Sequence, residues 1–174
     1  MGSRYDLVHV RMLVAAMLPG DCKVVVHNLA QLLKPGGFLQ WEECDFLSSE
    51  GLGSSSSCEP DTLRRMGEAF HAALGERFEH GWNTLPDHTP EAGLMSVVTD
   101  VASSDRFKEM RRKFGMCMMI LIFNWARQGV ERGAPTSMFG NDLDKLEKKF
   151  EDEIKSGCYF KFNIHVACAR KVVK

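Results

Sequence analysis

Apolar residues along this chain follow two periods. Short runs rich in Leu, Val and aromatic residues read as strands, and stretches where they recur every three or four positions read as helices. Tyr5 to Val10 is a run of the first kind, a buried strand by its Leu and Val content. Met12 to Leu18 is a short apolar segment ended by Pro19-Gly20. Asp21 is placed to cap the helix that follows, its carboxylate accepting from free backbone N–H groups. Val25, Leu29, Leu32 and Leu33 fall on one helical face. Gly36 supplies a left-handed residue to stop the helix, and Pro35 blocks its continuation. Phe38 to Phe46 is a second strand, apolar first and acidic at its end.

Ser48 to Ser57 is polar and Gly/Ser-rich, a linker or mobile loop. From Glu59 a helix begins with Pro60 in its first turn, where the missing N–H does no harm. Its stripe is Leu63, Met66, Phe70, Leu74 and Phe78. His80 to Pro90 is loop-like, and Pro90-Glu91-Ala92-Gly93 leads into a strand at Met95 to Val101. Ser104 and Asp105 open the longest helix, running to about Gly133. Its middle, Phe114 to Trp125, is apolar almost all round and so is expected to be buried on several sides. Asn141 caps a last helix carrying Leu143, Leu146, Phe150 and Ile154, and Cys158 to Val172 is a long strand with Phe160, Phe162, Ile164 and Val166 on one side. Alternation of strands and helices makes the class α/β.

At 174 residues the chain is a single domain in size. Its parts are a strand–helix–strand core at 1–47, a mostly helical region with one strand at 58–133, and a helix and strand at 141–174. A formal charge of −1 offers no electrostatic reason to expect nucleic acid or an anionic membrane as partner. The six cysteines show no C-x-x-C and no zinc-ligand spacing, so the expectation is reduced thiols, no metal and a cytoplasmic protein. No signal peptide is expected from the first residues, because Arg4 and Asp6 interrupt any apolar stretch. The most apolar run, Met116 to Phe123, is far shorter than the ~20 residues a bilayer crossing needs.

Lys34-Pro35-Gly36-Gly37 followed by Phe38-Leu39-Gln40-Trp41, after a strand and a helix, resembles the second half of a class I S-adenosylmethionine methyltransferase. The wording YDLVHVRML and VVVHNLAQLLKPGGFLQWEECD looks most like methyltransferases of fungal secondary metabolism. Glu91-Ala92-Gly93-Leu94 before a strand and Gly157-Cys158-Tyr159-Phe160 opening the last strand extend the likeness over nearly the whole chain. The resemblance implies a truncated Rossmann-like sheet with added covering helices, in which Tyr5–Arg11, Phe38–Phe46, Met95–Val101 and Cys158–Val172 are family strands four, five, six and seven. Their order across the sheet would be 4, 5, 7, 6.

The family's glycine-rich turn after its first strand, and the acid that holds the cofactor ribose, are not found. Gly51-Leu52-Gly53 and Gly36-Gly37 are the nearest glycine clusters; neither is expected to follow a strand and open a helix, as a nucleotide loop must. Each lost hydrogen bond to a charged group is worth about 1.5–3 kcal/mol, so losing several costs many powers of ten in affinity. The polypeptide is therefore expected to act without S-adenosylmethionine. Without the first family strand, Leu7, Val8 and Val10 would border an open apolar edge, which favours a two-fold homodimer through strand 5–11.

Candidate chemistry follows the strand ends, where ligands of open α/β sheets sit. Glu43 and Asp45 share a face with Trp41, Glu42 takes the other, and a carboxylate beside a buried indole can serve as acid or base. Arg11 can steady a carboxylate or enolate oxygen, or pair with Glu43. His71 lies in the helix that should cover the cleft, and His80 flanks Trp82 in the next loop, as proton shuttles or walls. Met118 and Trp125 belong to a soft, aromatic-flanked surface suited to a polycyclic substrate or to a dimer core. The expected function is cyclisation or isomerisation of a small, largely apolar secondary metabolite, with Glu43, Asp45, His71 and Arg11 catalytic and Trp41, His80, Trp82, Met118 and Trp125 binding. The alternatives are a cofactor-dependent small-molecule methyltransferase, present as a fragment or completed by another chain, and a non-catalytic module that docks a longer relative.

Overall fold

The structure, a computed structural model, describes residues 4–13, 16–18, 20–78, 85–133 and 142–173, without side chains at 73–78 and 85. Strand β1 (Tyr5–Arg11) is followed by helix α1 (Asp21–Leu32), strand β2 (Leu33–Gly53), helix α2 (Asp61–Phe78), the short α3 (Leu85–His88) and strand β3 (Leu94–Ser103). Two single turns of 3-10 helix, Ser104–Arg106 and Lys108–Met110, lead into α4 (Arg111–Glu131), α5 (Leu143–Ser156) and β4 (Cys158–Lys171). The four strands form one sheet in the order β1-β2-β4-β3, the 4, 5, 7, 6 arrangement expected of the family. No helix among the described residues is long and apolar enough to cross a membrane.

The chain divides into two compact units. The first holds residues 1–47, 75–102 and 163–174; the second holds 48–74 and 103–162. β2 and β4 contribute residues to both.

In the first unit β1 and β2 pair in parallel, with Val8 opposite Leu39, Val10 opposite Trp41 and Arg11 opposite Glu42. Tyr5 is opposite Leu33 while Leu7 is opposite Phe38, so Lys34-Pro35-Gly36-Gly37 bulges out of the ladder. Gly36 has φ +80°. A Cβ on Gly37 would lie 3.0 Å from the Asp6 carbonyl oxygen and 3.1 Å from that of Tyr5, so glycine lets the two backbones approach without either giving way. The helix has already ended at Leu32, with Leu33 extended. The Pro-Gly-Gly turn thus shapes the start of β2 and does not itself stop α1.

α1 buries Cys22, Val26 and Ala30, joined in one core by Leu33, Leu39, Trp41, Leu94, Ala167 and Ala169. This face is rotated from the expected one: Val25 and Leu29 flank it and Leu32 is exposed, because the smaller side chains let the helix settle on the sheet. Asp21 does not cap the helix. Gly20 holds the N-cap position at φ +93°, and Asp21 Oδ2 accepts from the Leu18 N–H at 2.8 Å. Pro19 lies outside the described residues. At the other end, Lys171 Nζ donates to the Ala30 and Leu33 carbonyls at 2.7 and 2.8 Å, placing a positive charge at the C-terminal end of the helix, where its dipole favours one. The Ala30 carbonyl also accepts from the Leu33 N–H.

In the second unit Leu63, Met66 and Phe70 of α2 are buried, as are Met118, Met119, Ile122, Phe123 and Ala126 of α4 and Phe150 and Ile154 of α5. Phe123 meets Phe150 edge-on with ring centres 5.5 Å apart, and Phe150 meets Phe160 at 5.6 Å. Gly115 lets Ile154 press on α4, a Cβ there falling 3.3 Å from Ile154 Cδ1. α4 is buried on one side only: its buried positions recur at helical spacing, and Cys117, Ile120 and Leu121 are exposed. α5 is capped by Asp142, whose carboxylate accepts from the Lys145 N–H at 3.0 Å; Asn141 lies outside the described residues, as do the side chains of Leu74 and Phe78.

Two further expectations change. Residues 48–53 are not linker but the continuation of β2, because β4 runs alongside and supplies ladder partners that outweigh local polarity. On β4 the buried residues are Cys158, Tyr159, Phe160 and Phe162, then Ala167 and Ala169. Ile164 and Val166 are only half-buried, because burial on the strand passes from Phe160 and Phe162 to Ala167 and Ala169, an odd interval that puts 164 and 166 out of step with the later pair.

Lys171→Met keeps the apolar stem but leaves two helix-end carbonyls without their charged donor. The expected cost is about 1–2 kcal/mol, read as a lower urea midpoint at unchanged denaturant slope.

Candidate functional site

Within the second unit, the last residues of β2 and one face of α2 enclose a cleft of about 320 Å³. Ser49, Glu50, Gly51 and Leu52 form one wall and Arg64, Gly67, Glu68 and His71 the other, with Phe160 also lining it. The α2 residues stand at i, i+3, i+4 and i+7, so they share a face beside the buried stripe of Leu63, Met66 and Phe70.

Glycines set the cleft's shape. A Cβ on Gly67 would sit 3.3 Å from Phe160 Cε1, and one on Gly51 would sit 3.1 Å from Arg64 Cγ and 3.2 Å from Leu63 Cβ. Removing those carbons lets the Phe160 ring reach the lining and lets β2 close on α2. Arg64 Nε donates to the Gly51 carbonyl at 3.2 Å, which fixes the guanidinium against the strand. Ser49 Oγ and His71 Nε2 are 2.8 Å apart, a hydroxyl–imidazole hydrogen bond facing the same space. A half-buried imidazole joined to a hydroxyl can take a proton from a bound molecule or return one.

Gly51-Leu52-Gly53 lies inside the end of β2, and Ser54 to Pro60 separates it from α2, so as expected it does not open a helix. The space around these glycines is also filled from within. Gly53 faces Cys58, and Gly51 faces Arg64 and Leu63. Moreover, the Thr62 and Leu63 N–H groups at the start of α2 donate to Glu153 Oε1 and Oε2 at 2.7 and 2.9 Å. A helix N-terminus is an anion site, and here the protein's own carboxylate fills it.

The other sequence candidates lie elsewhere. Glu43 is buried in the first unit, where Oε1 accepts from Trp41 Nε1 at 2.6 Å and from the Leu13 N–H at 2.7 Å. Those bonds hold the indole and the segment after β1 in place. Burial, reinforced by Glu43, pushes the neighbouring Cys44 thiol up to about 11. Arg11 does not pair with Glu43. It sits opposite Glu42 in the ladder, so the two share a face, and Arg11 Nε lies 3.8 Å from Glu42 Oε2. His9 Nε2 approaches the same carboxylate at 3.3 Å. Asp45 Oδ1 accepts from the Leu47 N–H at 3.1 Å, and Oδ2 is 3.8 Å from His165 Nε2. Met118 is part of the α4 core. Trp125 packs edge-on to Phe70 at 5.2 Å and borders a shallow surface groove with Ile120, Leu121 and Asn124. His80 and Trp82 lie outside the described residues. Of the expected site residues that are described, His71 alone lines the cleft; Ser49, Arg64, Glu68 and Phe160 were not anticipated. No cluster of three or more metal-ligating side chains occurs among the described residues.

No family model matches the chain. Over 42 residues, 24% of this chain and 15% of the relative, it is 62% identical to Methyltransferase grgD of a Penicillium species. Its fold is similar to that of the phosphoethanolamine N-methyltransferase 2 of Haemonchus contortus in complex with phosphomonomethylethanolamine and S-adenosylhomocysteine. That likeness has a TM-score of 0.50 at 15% identity, over 99% of this chain and 34% of that one. The [4+2]-cyclase SpnF matches 99% of this chain and 53% of its own at 16% identity, with a TM-score of 0.45 that carries no functional argument. The fold is methyltransferase-like, and the chain spans only about a third of the nematode enzyme it matches.

Burial holds the His165 imidazole below its ordinary pKa, outweighing the attraction of Asp45. The folded state therefore binds the proton less readily than the unfolded chain. Its contribution to stability is complete above the unfolded value of about 6.5 and declines as pH falls below it towards the lower folded value. Thermal midpoints should drop as pH is lowered through that range, and His165→Gln should flatten the drop.

Proposed function

We propose that this chain is a methyltransferase-derived protein that acts without S-adenosylmethionine, holding a small, largely apolar secondary metabolite in the β2–α2 cleft and catalysing its cyclisation or isomerisation. The observation that carries the reading is the 2.8 Å Ser49–His71 hydrogen bond in the lining of that cleft. His71 takes a proton from one atom of the substrate and returns it at another, with the Ser49 hydroxyl passing or steadying it. Arg64 steadies the oxygen on which negative charge gathers meanwhile. Leu52 and Phe160 supply the apolar walls that confine the reacting shape. Such a rearrangement is balanced without a co-substrate. The occupation of the α2 N-terminus by Glu153 supports the cofactor-free reading.

A second reading is favoured by the segment 62% identical to a fungal methyltransferase: methyl transfer, with this chain part of a larger protein or completed by another. The two readings predict different products. Metabolite extracts of a producing fungus, incubated with the chain and followed by mass spectrometry, should show a compound converted to an isomer of unchanged mass. His71→Gln and Ser49→Ala should slow that conversion by about 100-fold or more and about 10-fold respectively. A product heavier by one methylene unit that appears only with S-adenosylmethionine, or micromolar binding of that cofactor in calorimetry, would establish the second reading instead.

The partner we propose is a second copy of the chain. β1 is an end strand of the sheet, and Tyr5 and Leu7 on it are exposed. An open strand edge bordered by apolar side chains favours pairing. Sedimentation at micromolar concentration should give a dimer, and Leu7→Lys should shift it to monomer; a monodisperse wild-type monomer would leave β1 free to dock a longer relative, the reading of the chain as an interaction module.

A further inference from the structure

Two cysteines of the second unit meet where the turn ahead of α2 touches the head of β4. Cys58 lies in that turn and Cys158 is the first residue of β4. The Ser54 N–H donates to the Gly157 carbonyl at 3.2 Å, and a Cβ on Gly157 would lie 3.5 Å from Cys58 Sγ. The Cys58 thiol donates to the Ser156 carbonyl at 3.0 Å, and the Ser156 hydroxyl lies 3.9 Å from the Cys158 sulfur, so the two thiols flank the Ser156-Gly157 segment. Both thiols are free.

We propose that Cys58 and Cys158 are a peroxide-responsive pair, Cys58 reacting first and Cys158 closing a disulfide onto it. The Cys58 thiolate attacks one oxygen of hydrogen peroxide, the O–O bond breaks, and a sulfenic acid forms with release of hydroxide. The Cys158 sulfur then attacks the sulfenic sulfur, the S–O bond breaks, and water leaves with the Cys158 proton. The two thiols lose two electrons and two protons in all, and the peroxide becomes two waters.

The surroundings of the two sulfurs suit these roles. Cys58 is accessible, with Ser55 Oγ at 3.3 Å and Ser54 Oγ at 3.8 Å from its sulfur. Those hydroxyls, Ser55 foremost, favour its thiolate and bring its pKa below the ordinary value. Cys158 is buried, and burial raises its pKa. It therefore waits as a thiol until a sulfenic acid is presented beside it. The bridge would tie the turn before Arg64 and His71 to the strand that carries Phe160, and it does not depend on the reaction proposed for the cleft.

The test uses the reduced 174-residue chain, exposed to hydrogen peroxide, alkylated and mapped by peptide mass. We expect two thiols lost per chain and one linked peptide pair, Cys58 to Cys158, lighter by two hydrogens and reopened by dithiothreitol. Oxidation should raise the thermal midpoint by about 5 °C or more. Cys158→Ala should stop at a Cys58 sulfenic acid that dimedone traps. Should that variant fail to fold, Cys58→Ser, at an accessible position, should abolish the linked pair and leave Cys158 alkylatable after denaturation. Linkage of Cys58 to another cysteine or another chain, its conversion to a sulfonic acid with Cys158 intact, or thiols untouched by peroxide would overturn the proposal.

Discussion

The close approach of Gly37 to the Tyr5 and Asp6 carbonyls is the constraint on which the first unit rests. A Cβ there would press on both oxygens, so glycine keeps the approach without displacing either strand while Lys34–Gly37 leaves the ladder and Leu7 is set opposite Phe38. Every later residue of both strands then has its face assigned. Val8, Val10, Leu39, Trp41 and Glu43 turn towards α1 and the core, while His9, Arg11, Gln40 and Glu42 turn away. A slip of one residue would bury Arg11 and expose Trp41, so the register is held by the hydrophobic effect as well as by the turn.

What could be read without coordinates followed the strength of the local signals. Strands β1 and β3 and helix α2 were legible, since turn residues and apolar runs there agree with one another; the sheet order was implied by the family resemblance and not by any local pattern. The end of β2 was not, because Ser48 to Gly53 is polar and its strand character comes from a partner more than a hundred residues away. That misreading hid the cleft. Ser49 seemed a linker residue, and nothing in sequence spacing places it 2.8 Å from a histidine 22 positions on. Glu43 and Asp45 drew attention by charge and by their strand-end position, yet their carboxylates are engaged with Trp41, Leu13 and Leu47 in the structure. The α1 face was misjudged by one position because Cys22 and Ala30 look unremarkable beside Leu29 and Leu32, though smallness is what the helix–sheet contact required.

The cleft is built by subtraction. Gly51 and Gly67 withdraw two carbons, which brings Arg64 against the strand and admits the Phe160 ring. The hydrogen-bonded Ser49 and His71, one anchored guanidinium and an aromatic ring then line a volume of small-molecule size. Both readings of the function draw on this half of the fold, and they differ in whether a methyl donor is brought to it.

The Glu153 carboxylate at the first turn of α2 has a consequence for ligand choice as well as for structure. Amides already claimed by a side chain from α5 are not vacant: any incoming phosphate or carboxylate meets a like charge already seated. Replacing that acid would bare the helix start, and the same change would loosen α2 before any new ligand could repay it. Anions are thereby turned away from this helix, whatever the cleft beside it holds.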